Sequence, residues 1–348
     1  MSRPSSLPRY DPTRSYAWNY ANAPDAIPRV EPQVAGAWDF CGLKVASPLG
    51  VSAGPLLNGQ WCLYYASLGF DVVTYKTVRS RLRDCYALPN LQPVRCGQIT
   101  DAPPYLVAAD KMQGSWAVSY GMPSADPNQW RRDIEWTREQ LPAGKLLSVS
   151  VVGSYQDGWS LGDLADDYAL CAQWAVESGA DCVETNFSCP NVSTCDGQLY
   201  QSAEQSRTVA SAVRGVIGKT PYIIKIGHLP RDESLDVLLD AVGDLADALA
   251  MTNSIATKVM RGDEFLFDGQ QRGICGTAIR DESIRQIERF ARRITLRNLP
   301  TKLIGVGGIS TAEDVQRYLA AGAHACHLAT SLMMNPAVGL EIREQLSW

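Results

Sequence analysis

Among its 348 residues the sequence has only three histidines, His228, His324 and His327, and six phenylalanines, and no block of one charge sign. So few imidazoles argue against a histidine-built metal centre. His324 and His327 are three apart on a strand-like segment and face opposite sides, so we assign both to packing. With a net charge of −5 and a pI near 5.4, the chain lacks the concentrated positive charge that a nucleic-acid or anionic-membrane surface needs. No apolar run approaches the roughly 18 residues of a membrane helix. The first forty residues are polar and proline-rich, without the charged start and apolar stretch of a secretory signal. None of the ten cysteines forms a C-x-x-C pair, which excludes the common zinc and iron–sulfur ligand sets. No G-x-G-x-x-G follows the first strand, so a dinucleotide-binding Rossmann unit is not expected. These absences describe a reducing, cytoplasmic protein, and its 45% apolar content is enough for a large core.

Short apolar, β-branched segments alternate with amphipathic ones from residue 46 onward. Candidate strands are Leu49–Ala53, Phe70–Lys76, Leu146–Val152, Asp181–Phe187, Tyr222–Ile226, Ala248–Thr252, Leu303–Val306 and Ala325–Ala329. Candidate helices include 163–178, 202–216, 233–245, 281–297 and 311–321. Strands of this kind are buried on both faces, and a run of β/α repeats predicts a (β/α)8 TIM barrel. We expect residues 1–45 to form an N-terminal arm and a hairpin plugging the lower mouth, with the barrel over 46–348. Residues 83–125 are a long insertion after strand two, at the barrel end where such enzymes build active sites.

Three features at strand tips carry chemistry. Asn186-Phe-Ser-Cys189-Pro-Asn191 closes the fourth strand, where two amides flank one ionisable thiol. That set can hold a flat polar heterocycle while a proton is removed; a buried cysteine among turn-forming asparagines uses the same residues. Gly307 and Gly308 follow strand seven, and Ala329 and Thr330 follow strand eight. Those loops are the usual phosphate cradle of such barrels, although a tight strand-to-helix turn also favours glycine. Lys76 and Lys225 end or nearly end strands two and five, where an ammonium is costly unless it meets an anion or a hydrogen-bond partner. A snorkelling lysine explains either one singly.

With these residues in place, the chain resembles the dihydroorotate dehydrogenases. The fourth-strand segment is similar to their N-[LVF]-S-[CS]-P-N signature, with cysteine as in class 1 enzymes. Ser47–Gly54, Thr74–Thr77, Ile224-Lys225, Thr252–Ser254, Gly273–Ile279, Gly305–Ser310 and Leu328–Thr330 resemble further family segments in order. Dihydropyrimidine dehydrogenases share this flavin barrel. The resemblance implies FMN held by Ala53, Gly54, Lys76, Thr77, Lys225, Gly276, Gly307, Gly308, Ala329 and Thr330. It implies a small-molecule substrate held by Lys76, Asn186, Asn191, Asn253, Ser254 and the loop Tyr120-Gly121-Met122, with Cys189 as catalytic base. It also implies an electron acceptor, unidentified from this chain, and a homodimer. Val118 stands where the family has a substrate-binding asparagine, and Cys275 and Ala329 replace residues commonly glycine. The expected reaction is FMN-dependent oxidation of dihydroorotate to orotate. Val118 favours an alternative, an uncharged dihydropyrimidine or another cyclic amide. A flavin-free barrel binding a phosphate ester is the third reading.

Overall fold

The eight apolar runs pair in parallel around a closed barrel in the computed structural model, which describes residues 7–27, 37–100, 102–188 and 198–346. Strands one to eight are Leu49–Val51, Val72–Val78, Leu146–Val151, Cys182–Asn186, Tyr222–Lys225, Ala248–Met251, Lys302–Val306 and Ala325–Leu328. The expected strands are all present, with ends only slightly shifted. Strand eight closes the barrel on strand one, with Cys326 opposite Leu49 and Leu328 opposite Val51. Helices return the chain between strands, and two begin with a reciprocal capping box, Ser160 with Asp163 and Thr311 with Asp314. Each box satisfies two backbone donors that the first helical turn would leave orphaned.

The lower mouth is plugged as the sequence suggests. Trp38–Phe40 and Leu43–Val45 form an antiparallel hairpin. Phe40 and Val45 pack with Val72, Cys182, Ile223 and Ala325 at the strand beginnings. Trp38 Nε1 donates to the His324 carbonyl at 2.8 Å, which ties the hairpin to the start of strand eight. Upstream, a short helix, Tyr16–Ala21, lies against the helix Gly59–Ser67. Trp61 Nε1 donates to the Asn19 carbonyl at 3.0 Å, and Asn58 caps the longer helix while donating to the Tyr20 carbonyl.

The upper mouth differs from expectation in one respect. The insertion after strand two contributes Leu91–Arg95, Tyr105–Ala108 and Ser115–Val118. A second insertion, after strand six, contributes Ile255–Arg261, Glu264–Phe265 and Arg272–Gly276. All six join one sheet, and an added pairing between Ile255–Arg261 and Tyr105–Ala108 turns five of them into a ring. Its centre is filled by Val94, Ile99, Ala117, Ile255, Val259 and Ile274. Residues 255–261 alternate buried and part-exposed side chains, the pattern of a half-buried strand. Together the insertions make a small cap over the strand tips. No helix among the described residues is long and apolar enough to cross a membrane.

If the hairpin seals the barrel floor, Phe40→Ala should cost about 3–5 kcal/mol, the usual range for a buried phenylalanine. Leu296→Ala, at a side chain 78% exposed, should stay within about 0.5 kcal/mol. Urea unfolding of both variants checks this; equal losses would mean that the hairpin is not part of the core.

Candidate active site

Strand tips, not sequence neighbours, assemble the site. Along strand seven alternation turns Ile304 and Val306 inward, and the chain then leaves the barrel through Gly307 and Gly308, at φ of 126° and 70°. Both conformations favour glycine. A Cβ on Gly308 would lie 2.6 Å from Arg280 Cβ and 2.8 Å from the Gly276 carbonyl oxygen, and one on Gly307 would strike Ser283. Gly276, from the cap, has φ 98° and would carry a Cβ 2.1 Å from the Gly114 oxygen. These glycines, with Ile309, Ala329, Thr330 and Met112, line a cavity of about 610 Å³. The carbonyls behind the cradle are occupied, Gly307 by the Tyr318 hydroxyl at 2.6 Å and Ile309 by Ser331 Oγ at 2.6 Å. The N–H groups of Gly308 and Thr330 meet no acceptor among the described residues. Free amides facing a cavity suit a phosphate.

Lys225 supplies a second indication of an anion. It is 5% exposed and makes no hydrogen bond or ion pair among the described residues, which a buried ammonium tolerates poorly. Its neighbour in register on strand four is Asn186. Across the barrel Lys76 and Thr77 are buried on strand two, and Thr77 shares a hydrogen bond of 3.0 Å with Ser150. Above strand one, Ala53 is buried, and a Cβ added to Gly54 would meet nothing within 4 Å. A flat ring system lying over the strand tips, with its phosphate in the glycine cradle, fits these residues.

The candidate substrate groups converge from three loops. Asn186 reaches Met122 Sδ at 3.6 Å and accepts from the Ser188 amide at 3.1 Å. Asn253 Nδ2 donates to the Ser188 carbonyl at 2.5 Å, and Ser254 lines an adjoining polar cavity with Ser188, Gln198 and His228. Gly121 has φ 74° and would carry a Cβ against the Tyr86 ring. The Tyr120 hydroxyl is committed to the Tyr10 hydroxyl at 2.8 Å and its ring packs on Tyr16. Only its backbone is left to serve the loop. Val118 is half-buried at the end of its cap strand, opposite Gly273. Cys189, Asn191 and Cys195 lie outside the described residues.

Two further residues face the barrel interior, His327 as a packing residue and Glu184, which the sequence reading did not single out. His327 lines the glycine-cradle cavity and stacks on Phe40 with ring centroids 5.7 Å apart. Burial pushes its pKa down to about 3, with the Lys225 charge acting in the same direction. Glu184 sits 2% exposed on strand four. His228 Nε2 pairs with the buried Glu282 at 2.9 Å. No cluster of three or more metal-ligating side chains occurs among the described residues.

Residues 111–347 match the family model for dihydroorotate dehydrogenase. Over 98% of its length the chain is 31% identical to a Dictyostelium discoideum protein, dihydroorotate dehydrogenase, of which 98% is covered. The chain belongs to the dihydroorotate dehydrogenase family. It is therefore a flavin-dependent oxidoreductase acting on a CH–CH group, and the flavin-free reading falls away. Another relative, from Maridesulfovibrio salexigens, is a dihydroorotate dehydrogenase B (NAD(+)) catalytic subunit, 25% identical over 88% of this chain and 90% of its own. The fold matches that of Eimeria tenella DHODH solved with ferulenol, at a TM-score of 0.73 and 18% identity over 95% of this chain and 88% of the other.

A cradle shaped by the absence of side chains should fail when one is added. A Cβ at Gly308 costs on the order of 1–3 kcal/mol in backbone strain alone, so Gly308→Ala should weaken flavin binding by about tenfold or more. Gly215→Ala, on a helix with nothing within 4 Å, should leave it unchanged. Fluorescence titration of apoprotein with FMN measures both; equal affinities would misplace the phosphate.

Proposed function

We propose that this enzyme oxidises dihydroorotate to orotate using FMN. The observation that carries the reading is the meeting at one barrel end of the glycine cradle, the buried Lys225, which has no partner among the described residues, and the amides of Asn186 and Asn253. In this reading Gly307, Gly308, Ala329 and Thr330 would hold the phosphate, and Ala53, Gly54, Lys76, Thr77 and Gly276 would hold the rest of the cofactor. A bound flavin would supply a hydride acceptor for the substrate carbon next to the one that loses a proton. The chain's own residues do the rest. Cys189 takes the proton as thiolate, while Asn186, Asn191, Asn253 and Ser254 hold the heterocycle by its amide edges. Lys76 and the backbone of Tyr120-Gly121-Met122 grip its carboxylate. Lys225 stabilises the negative charge that reduction adds to the flavin. The cap keeps water from the strand tips.

Val118 supports a second reading, in which the substrate is an uncharged dihydropyrimidine or another cyclic amide. An aliphatic side chain offers no hydrogen bond where the resemblance expects an amide, and losing one buried partner costs about 1–3 kcal/mol. For the electron acceptor, the NAD(+)-type relatives favour a partner subunit. The resemblance to class 1 enzymes favours a cytoplasmic homodimer.

Removing the base should be visible in one step. General acid–base assistance is worth about 10²–10⁴-fold, so Cys189→Ala should slow flavin reduction by dihydroorotate by that order. Cys195→Ala should be nearly silent. An ordinary thiol ionises at about 8.5, so the wild-type rate should climb from neutral pH into mild alkali. Stopped-flow bleaching of the flavin reads all three. A fast Cys189→Ala beside a dead Cys195→Ala would overturn the assignment.

A further inference from the structure

The barrel is not filled as such barrels usually are. Branched apolar side chains ordinarily dominate the interior layers. Here inward positions include Ser52, Thr74, Ser148, Glu184 and His327, all more than nine-tenths buried. Glu184 Oε1, Thr74 Oγ1, Ser148 Oγ and both His327 ring nitrogens make no hydrogen bond among the described residues. Below them lies the apolar plug; above them lies the flavin site. Unsatisfied buried polar groups are rare enough to need a physical reason.

Glu184 carries the most cost, because a buried carboxylate without donors is far less tolerable than a hydroxyl. It points inward, two residues after Cys182, which packs on the plug. Register places Ile223 opposite Glu184 and Lys225 opposite Asn186. Glu184 and Lys225 are thus diagonal neighbours on adjacent strands. They form no direct ion pair among the described residues, yet they are the two opposite charges beneath the flavin. Among the described residues the other charged inward positions are Lys76, at the rim of strand two, and Lys302, at the floor of strand seven, where it pairs with Asp39 of the hairpin. The remaining inward positions on strands one, three, six and seven are small, hydroxyl-bearing or aliphatic. His327, on strand eight, is neutral.

We infer that Glu184 is a redox-tuning residue, whose carboxylate opposes the Lys225 ammonium under the flavin and holds the flavin's affinity for electrons down. This rests on the FMN reading above. Lys225 alone would favour the reduced flavin and slow the release of electrons to the acceptor. A carboxylate in the same low-dielectric interior repels the charge that reduction adds, and salt screens it little. The two charges together set a potential between those extremes. Glu184 touches no reacting atom; its effect is electrostatic.

The experiment is an anaerobic redox titration of FMN-loaded protein against a reference dye, for the wild type, Glu184→Gln, Glu184→Ala and Glu184→Asp. The neutral variants should shift the two-electron equilibrium toward reduced flavin by about tenfold or more, an upward move of about 30 mV. Glu184→Asp, which keeps the charge, should stay close to the wild type. Neutral variants at the wild-type potential, or Glu184→Asp shifting as far as Glu184→Gln, would overturn the inference. So would loss of FMN from both neutral variants with retention by Glu184→Asp, because that outcome marks a binding role. Wild-type protein that takes up no FMN would instead remove the FMN reading itself.

Discussion

The hydrogen bonds that join strand eight to strand one are the constraint on which the site depends. Without that seam the tips of strands seven and eight would lie at the far edge of an open sheet from those of strands one and two. With it, the glycine cradle, Lys76, Asn186 and Lys225 share one rim, although they are spread over more than two hundred positions of the chain. Parallel strands make such closure workable because each returning helix covers the outer face. The hairpin then closes the lower end, so the interior is sealed against water from below.

A sealed interior strengthens electrostatics. In water the charges of Lys76, Lys225 and Glu184 would be largely screened. At the end of a barrel, between an apolar plug and a cap, each acts over several ångströms. Preorganised charge of this kind costs nothing at the moment of reaction, since the fold has already met the expense of burying it. The scaffold supplies the same economy to the phosphate. Tyr318 and Ser331 occupy the carbonyls behind the cradle, which leaves the forward amides of Gly308 and Thr330 to a ligand.

Much of this was legible in the sequence, for identifiable reasons. Parallel strands buried on both faces read as continuous apolar runs, and all eight stood out that way. Lysines at strand tips and glycine pairs after strands violate the pattern of their surroundings, which makes them visible. The cap was harder. Its strands pair across distant sequence, as Lys258 does with Tyr105, and only the alternation in residues 255–261 hinted at the second insertion. Glu184 was missed for a related reason. In a strand buried on both faces, periodicity does not say which face looks into the barrel. Tyr120 was placed by its loop, and nothing local shows that its hydroxyl turns away to Tyr10.

In the proposed function the site takes a carboxylated dihydropyrimidine and passes its hydride to bound flavin. Anaerobic titration of the purified, FMN-loaded protein with dihydroorotate and, separately, with dihydrouracil tests it most directly. Dihydroorotate should bleach the flavin absorbance stoichiometrically while dihydrouracil leaves it unchanged. Bleaching by dihydrouracil with none by dihydroorotate would contradict the claim and give Val118 the deciding part in substrate choice.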